Sequence, residues 1–196
     1  MKYIKIIIFI IIIIAAFYIS KIIAQNIQLQ NVVKVLEEKE YVLSDIEKKR
    51  SLELNSNGIF IDSIPIVNEN ETKNLFEIIK TNKLVLFISE KHCEICIKAQ
   101  IENLIENKNL NPNNIIILIQ PLSRHYIDLF KKKNKLKNTI YECKENIYKS
   151  FPDLYEPYFF IIDVQTQRIQ SMFIPDKTDP HTTQTYLNSI NKKYFN

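Results

Sequence analysis

The sequence of 196 residues predicts an α/β sandwich, with a central mixed β-sheet flanked by helices and preceded by a helical N-terminal segment. Three observations predict this class. Strand-like apolar runs alternate with amphipathic helical stretches, the C-terminal part has the pattern of a β-hairpin followed by a helix, and the N-terminus is strongly apolar. With 46% apolar and 24% charged residues, the composition fits one globular core of ordinary size.

The N-terminal residues have the pattern of a membrane-directed segment. Lys2 and Lys5 precede an uninterrupted apolar run, residues 6–19, and residues 4–24 reach about the 20 residues that a spanning helix needs. We therefore predict a signal anchor, a transmembrane helix at residues 1–25, and favour it over a cleaved signal peptide. The basic N-terminus places that end in the cytoplasm, so we expect the globular domain to be extracytoplasmic, on the periplasmic side.

Residues 26–55 predict a helical stalk. Apolar residues alternate with charged residues at helical spacing, and leucines recur every seven residues at Leu29, Leu36 and Leu43. Arg50 occupies the next equivalent position, so any coiled coil is short and self-association through the stalk stays an open alternative. The turn-forming Asn55-Ser56-Asn57-Gly58 marks the boundary to a globular domain at residues 56–196.

The globular domain is predicted to alternate strands and helices. We expect strands at 59–66, 83–89, 115–120 and 139–142, a hairpin of 158–163 with 168–174, and helices at 71–81, after Cys93, at 123–134 and from 180 onward. Asp179 suits the cap of the last helix and Pro180 suits its first position.

The most informative motif is Cys93-Glu94-Ile95-Cys96, between a strand-like run and a helical pattern. A strand that leads into the first turn of a helix sets Cys93 beside unpaired backbone N–H groups and the positive end of the helix dipole, which favour a thiolate. Cys96 then lies within reach to close a disulfide. Half a zinc site has the same spacing, but no second ligand pair is present, so we expect no metal. We expect the third cysteine, Cys143, to be a buried small residue.

These residues resemble the thioredoxin fold and, within it, the membrane-anchored TlpA/ResA-like thiol-disulfide oxidoreductases. The resemblance covers about residues 59–194 and is carried by the strand that leads into the cysteine motif, by Glu156-Pro157 with the strand after it, and by the hairpin with the terminal helix. It implies that Cys93 and Cys96 are the catalytic pair and form a redox-active disulfide. It also implies that Pro157 is cis and sets Glu156 beside the pair to bind an extended substrate. A trans proline that begins a strand is the alternative.

The motif departs from its relatives at several positions. His92 replaces a common tryptophan, Glu94-Ile95 replaces Gly-Pro, and Phe87 stands where many relatives have a buried acidic or amide residue. We expect the Glu94 carboxylate to raise the pKa of Cys93 and to favour a reductant, whereas His92, expected to be an exposed neighbour, opposes this when protonated.

The resemblance implies an extracytoplasmic thiol-disulfide oxidoreductase that reduces protein disulfides without an organic cofactor. Its partners would be a protein disulfide substrate and a thiol electron donor. Nucleic acid is not expected, because the net charge is only +4 and the basic cluster at 131–137 has no accompanying motif. Two alternatives stay open: an inert structural disulfide, and a non-catalytic thioredoxin-fold module that binds copper through Cys93, Cys96 and a histidine. A peroxidase is disfavoured, because no activating Thr/Pro arrangement precedes Cys93.

Overall fold

The computed structural model describes residues 2–68, 71–120, 130–134, 136, 138–143, 154–176 and 179–195. The chain divides into two compact units, Met1–Lys48 and Lys49–Asn196. This division lies before residue 56, the predicted start of the globular domain, because the last turns of the N-terminal helix belong to the second unit.

The first unit consists of most of helix α1 (Lys2–Ser56), which is 55 residues long. The helix predicted for residues 26–55 is confirmed. Many of its described large apolar side chains are exposed, among them Leu29, Leu36 and Leu43. In the described part of the chain, no helix combines the length and the apolar character that a membrane span needs.

The second unit is built on a mixed β-sheet. In the described part of the chain the sheet has seven strands in the order β2-β1-β5-β4-β3-β6-β7. Strands β3, β4 and β5 are parallel, and the other neighbours are antiparallel. The strands are β1 (Pro65–Asn68), β2 (Glu71–Asn74), β3 (Lys83–Ser89), β4 (Ile115–Gln120), β5 (Thr139–Cys143), β6 (Tyr158–Asp163) and β7 (Arg168–Phe173).

Apolar residues cover both faces of the interior strand β3, which lies between β4 and β6. One face contributes Leu84, Leu86 and Ile88 to a core that also contains apolar residues of α3 (Glu94–Glu106) and α4 (Pro180–Tyr194). The other face contributes Val85 and Phe87 to a second core. Burial on both faces explains why β3 is a continuous apolar run and not an alternating one.

The helix predicted for residues 71–81 is wrong. Residues Glu71–Asn74 form β2, which pairs with β1 as a hairpin, and only Leu75–Ile78 form a short helix, α2. Asn74 explains the change, because its side-chain oxygen accepts the N–H groups of Phe76 and Ile64, each at 3.2 Å. The bond from Phe76 caps the start of a new helix, and the residues before Asn74 stay extended.

Other predicted elements have mixed outcomes. The strand predicted for 59–66 is reduced to its last residues in β1 and an isolated bridge between Phe60 and Arg168. Most of the helix predicted for 123–134 lies outside the described residues, although 130–133 are helical. The terminal helix is confirmed, with Asp179 at its cap and Pro180 at its first position.

Candidate functional site

Cys93 lies at the N-terminus of helix α3, as predicted. A short turn after β3 leads into Cys93, which is the cap of the helix, and its Sγ accepts the backbone N–H of Cys96 at 3.4 Å. The Cys93 carbonyl accepts the N–H of Ile97 at 3.0 Å and begins the helical ladder. The sulfur is therefore held against the first turn, where exposed N–H groups and the helix dipole favour a thiolate.

The two sulfurs of the motif differ in exposure. Cys93 is exposed, whereas Cys96 is only 4% exposed, and both are thiols in this structure. This difference suits different roles for the two thiols. The exposed thiol of Cys93 can contact a disulfide of a large partner, whereas the buried thiol of Cys96 can react only with a sulfur that is already bonded to Cys93.

The segment before β6 lies directly beside the motif. The Cys93 N–H donates to the Tyr155 carbonyl at 3.1 Å, and β6 pairs with β3 so that Tyr158 is opposite Phe87. The backbone contact with Cys93 is made by Tyr155, the residue before Glu156-Pro157, and a role of Glu156 and Pro157 in substrate binding stays a prediction.

The expectation of a cis proline is wrong. All the described peptide bonds are trans, including the bond between Glu156 and Pro157. Pro157 is buried and immediately precedes the first residue of β6, Tyr158. At this position the missing N–H of a trans proline removes no ladder hydrogen bond, so the chain enters the strand without the cis geometry.

His92 is buried, contrary to the expectation of an exposed neighbour. It is 7% exposed, and its ring lies against Phe87 and Tyr158, with ring centroids 6.0 and 6.2 Å away. The Nδ1 atom accepts the N–H of Ser89 at 3.0 Å. Because an acceptor nitrogen carries no proton, this bond requires that Nδ1 be unprotonated. A protonated His92, the form expected to oppose Glu94, conflicts with this hydrogen bond.

Aromatic side chains pack against His92, which directly precedes the cysteine motif. Phe87 and Tyr158 are fully buried, and their ring centroids are 5.2 Å apart. Glu94, in contrast, is exposed in the first turn of α3. Its charge adjoins Cys93 along the chain but is screened by solvent.

Sequence reasoning missed two residues at this site. Tyr155 is 75% exposed next to Cys93, and Lys49 Nζ lies 3.2 Å from Glu156 Oε1. Tyr155 stands two residues before Pro157, so the resemblance at Glu156-Pro157 was a weak sequence signal that Tyr155 lies near the cysteine motif. No sequence signal could have found Lys49, because the predicted stalk and the loop are distant along the chain.

The third cysteine, Cys143, forms its hydrogen bond with a residue outside the cysteine motif. Cys143 is buried in β5, as expected, and its Sγ donates to the Pro65 carbonyl at 3.2 Å. In the portion of the chain that the structure describes, no group of three or more His, Cys, Asp or Glu side chains is arranged to hold a metal.

Comparison with known proteins gives structural likeness only. No family model matches the sequence, and no curated protein matches it significantly. A candidate electron transfer protein from Aquifex aeolicus VF5 is 14% identical, with a TM-score of 0.50 over 69% of this chain and 94% of that one. A candidate protein disulfide isomerase from Bacteroides thetaiotaomicron is 12% identical, with a TM-score of 0.50 over 70% of this chain and 90% of that one.

A third similar structure is named as the thioredoxin domain of a thiol-disulfide oxidoreductase from Bacteroides vulgatus. It is 12% identical, with a TM-score of 0.48 over 68% of this chain and 97% of that one. At these identities the likeness concerns the fold. The predicted resemblance is confirmed at that level: this chain has an α/β thioredoxin-like fold, with a mixed sheet and helices.

Proposed function

We propose that this protein is a thiol-disulfide oxidoreductase that reduces disulfides in other proteins. The observation that carries the proposal is the position of Cys93, whose exposed sulfur accepts the Cys96 N–H at the start of α3. A structural disulfide does not need an exposed sulfur at a helix N-terminus, whereas a nucleophilic thiolate is favoured there.

The reaction follows from the order of the two thiols. The Cys93 thiolate attacks a substrate disulfide, a new S–S bond forms, and the departing substrate sulfur takes a proton from solvent. Cys96, after losing its proton, attacks Cys93 Sγ. The mixed disulfide then breaks, the second substrate sulfur leaves as a thiol, and the Cys93–Cys96 disulfide remains. A thiol electron donor restores the dithiol with two electrons, so the cycle needs no organic cofactor.

The proposed reductase direction rests on the adjacency of Glu94 to Cys93, whose effect on the thiolate is reduced by solvent screening but is opposite in sign to that of the helix N-terminus. A carboxylate beside the nucleophile disfavours a second negative charge, which favours the disulfide form of the protein and makes the dithiol a reductant. Equilibration of the full chain with glutathione mixtures tests this. We expect a reducing potential that Glu94→Gln makes more oxidising, and a potential as oxidising as that of disulfide-introducing enzymes would reject the reductase direction.

Membrane anchoring and an extracytoplasmic domain are part of the same proposal. The apolar run at residues 6–19 after Lys2 and Lys5 supports them. Fractionation should recover the full chain with membranes. In intact cells, a membrane-impermeant thiol reagent should label Cys93, and labelling only after lysis would contradict this location. The exposed leucine repeat of α1 supports self-association, which cross-linking in membranes would detect.

Reduction of insulin by the full chain in detergent, with dithiothreitol as the electron donor, tests the chemistry. We expect Cys93→Ser to abolish catalysis, Cys96→Ser to abolish turnover, and the matched control Cys143→Ser to retain activity. Equal rates for wild type and all three variants would refute the catalytic assignment. Stoichiometric copper binding without turnover would support the binding-module alternative.

A further inference from the structure

The end of helix α1 is held firmly in the second unit. Glu53 is buried, and its Oε1 accepts the backbone N–H of Ile174 at 2.8 Å, just after β7. One residue past the helix, Asn57 Oδ1 accepts the N–H of Met172 at 3.2 Å. These bonds satisfy backbone groups of a strand at the edge of the sheet and fix the last turns of the helix there.

Lys49 lies one turn before Glu53 and pairs with the loop at the candidate site. The Nζ to Oε1 distance to Glu156 is 3.2 Å, and the two side chains are only 17% and 31% exposed. The pair is therefore better shielded than Lys98–Glu102, whose side chains are 72% and 56% exposed. Exposed pairs of that kind contribute little, whereas partial burial strengthens an ion pair with good geometry.

Glu156 occupies the centre of the segment that contacts the nucleophile. The carbonyl before it, on Tyr155, accepts the Cys93 N–H at 3.1 Å, and the residue after it, Pro157, is buried. A cation that holds the Glu156 side chain therefore restrains the short stretch of backbone whose orientation decides how an extended substrate can lie across Cys93.

We propose that Lys49 is a positioning residue for this site: through Glu156, it holds the 155–157 segment in the geometry that receives a polypeptide substrate. The inference rests on the proposed oxidoreductase function and deepens it, because it predicts that the end of the N-terminal helix contributes to recognition of protein disulfides. A small disulfide does not need the loop, so its reduction should be independent of Lys49.

The test compares a protein disulfide with a small one, using the full chain. For Lys49→Gln we expect the KM for insulin to rise about 3- to 10-fold with little change in kcat, and the rate with cystamine to stay within about 2-fold of wild type. Lys49→Arg keeps the cation and should restore the KM. Lys48→Gln, at the exposed neighbouring position on the same helix, is the matched control and should have no effect.

A double-mutant cycle adds the partner. Lys49→Gln combined with Glu156→Gln should be no worse than either single change, because both remove one interaction. Lys49→Gln kinetics equal to those of Lys48→Gln, or an equal loss with insulin and cystamine, would overturn the inference alone. A wild-type protein that does not reduce insulin would overturn the proposed function, and the inference with it.

Discussion

A thiol beside the first turn of a helix has chemistry that the same thiol lacks elsewhere. At Cys93 this setting was predictable, because an apolar strand, a short turn and a helical pattern occur in order around the motif. The environment of the neighbouring His92 could not be predicted in the same way. Its burial depends on Phe87 below it and on Tyr158, which β6 brings from a distant part of the sequence.

His92 provides a test at the scale of one side chain. His92→Phe removes the acceptor of the Ser89 N–H while keeping a ring, so we expect a loss of about 1–3 kcal/mol in the free energy of unfolding. In His92→Asn the side-chain oxygen lies at nearly the position of Nδ1 and should recover part of the loss. Urea denaturation measures both. If the Phe variant were as stable as wild type, the hydrogen bond would not contribute to stability.

Among the elements, α4 shows how local chemistry defines a boundary. Asp179 and Pro180 correctly predicted its start, since capping depends on adjacent residues only. The helix predicted at 71–81 failed because its first residues pair with β1 across a hairpin, and Asn74 forms a hydrogen bond with Ile64. At residues 71–74 the strand pairing outweighed the local helical propensity, and the spacing of apolar residues in the sequence does not reveal such a pairing.

The cap of α4 predicts a pH dependence. The Thr182 hydroxyl and N–H donate to Asp179 and hold the pKa of its carboxyl below the usual 3.8, so the folded state favours the charged form. This contribution to stability is present above pH 3.8 and is lost as pH falls through the lowered pKa.

Thermal unfolding across the acid range measures this contribution. Asp179→Ala should unfold at a lower temperature than wild type at pH 7, and the difference should shrink below about pH 4. Asp179→Asn keeps a capping oxygen without the charge and should lose the acid dependence. A difference between Ala variant and wild type that is the same at pH 3 and pH 7 would contradict this account.

For the whole molecule, the sequence predicted the mixed sheet and the C-terminal hairpin, because each depends on short apolar runs and the turns between them. The sequence did not predict the packing of the last turns of α1, from Lys49 onward, within the second unit. Glu53 and Lys49 have the pattern of solvated stalk residues, and only the folded domain reveals their partners, Ile174 just after β7 and Glu156 in the 155–157 segment. Long-range polar contacts leave no periodic signature in a sequence.

The buried hydroxyl of Tyr186 predicts a loss of stability at alkaline pH. Burial chiefly, then the negative charges that Tyr194 and Glu53 can carry, raise the pKa of its hydroxyl well above the usual 10.0, and the hydroxyl donates to the Ser171 carbonyl at 2.7 Å. The unfolded chain would lose this proton first, so the contribution is present below pH 10.0 and is lost as pH rises toward the raised value.

Removal of the Tyr186 hydroxyl separates the effect of its hydrogen bond from the effect of its raised pKa. Tyr186→Phe should cost about 0.5–1.5 kcal/mol at pH 7, where the hydrogen bond is lost, and should decline less steeply above about pH 10 than wild type. Tyr18→Phe, at an exposed position of α1, should leave both unchanged. An alkaline decline in Tyr186→Phe as steep as that of wild type would assign the effect to other groups.

The central claim is that Cys93 is the nucleophile of a disulfide exchange that Cys96 completes. Mass spectrometry of the Cys96→Ser full chain after incubation with insulin tests this most directly, because the variant cannot resolve the first intermediate. We expect a covalent adduct that dithiothreitol reverses and that peptide mapping assigns to Cys93. The absence of an adduct, or an adduct that forms only through Cys143, would contradict the account.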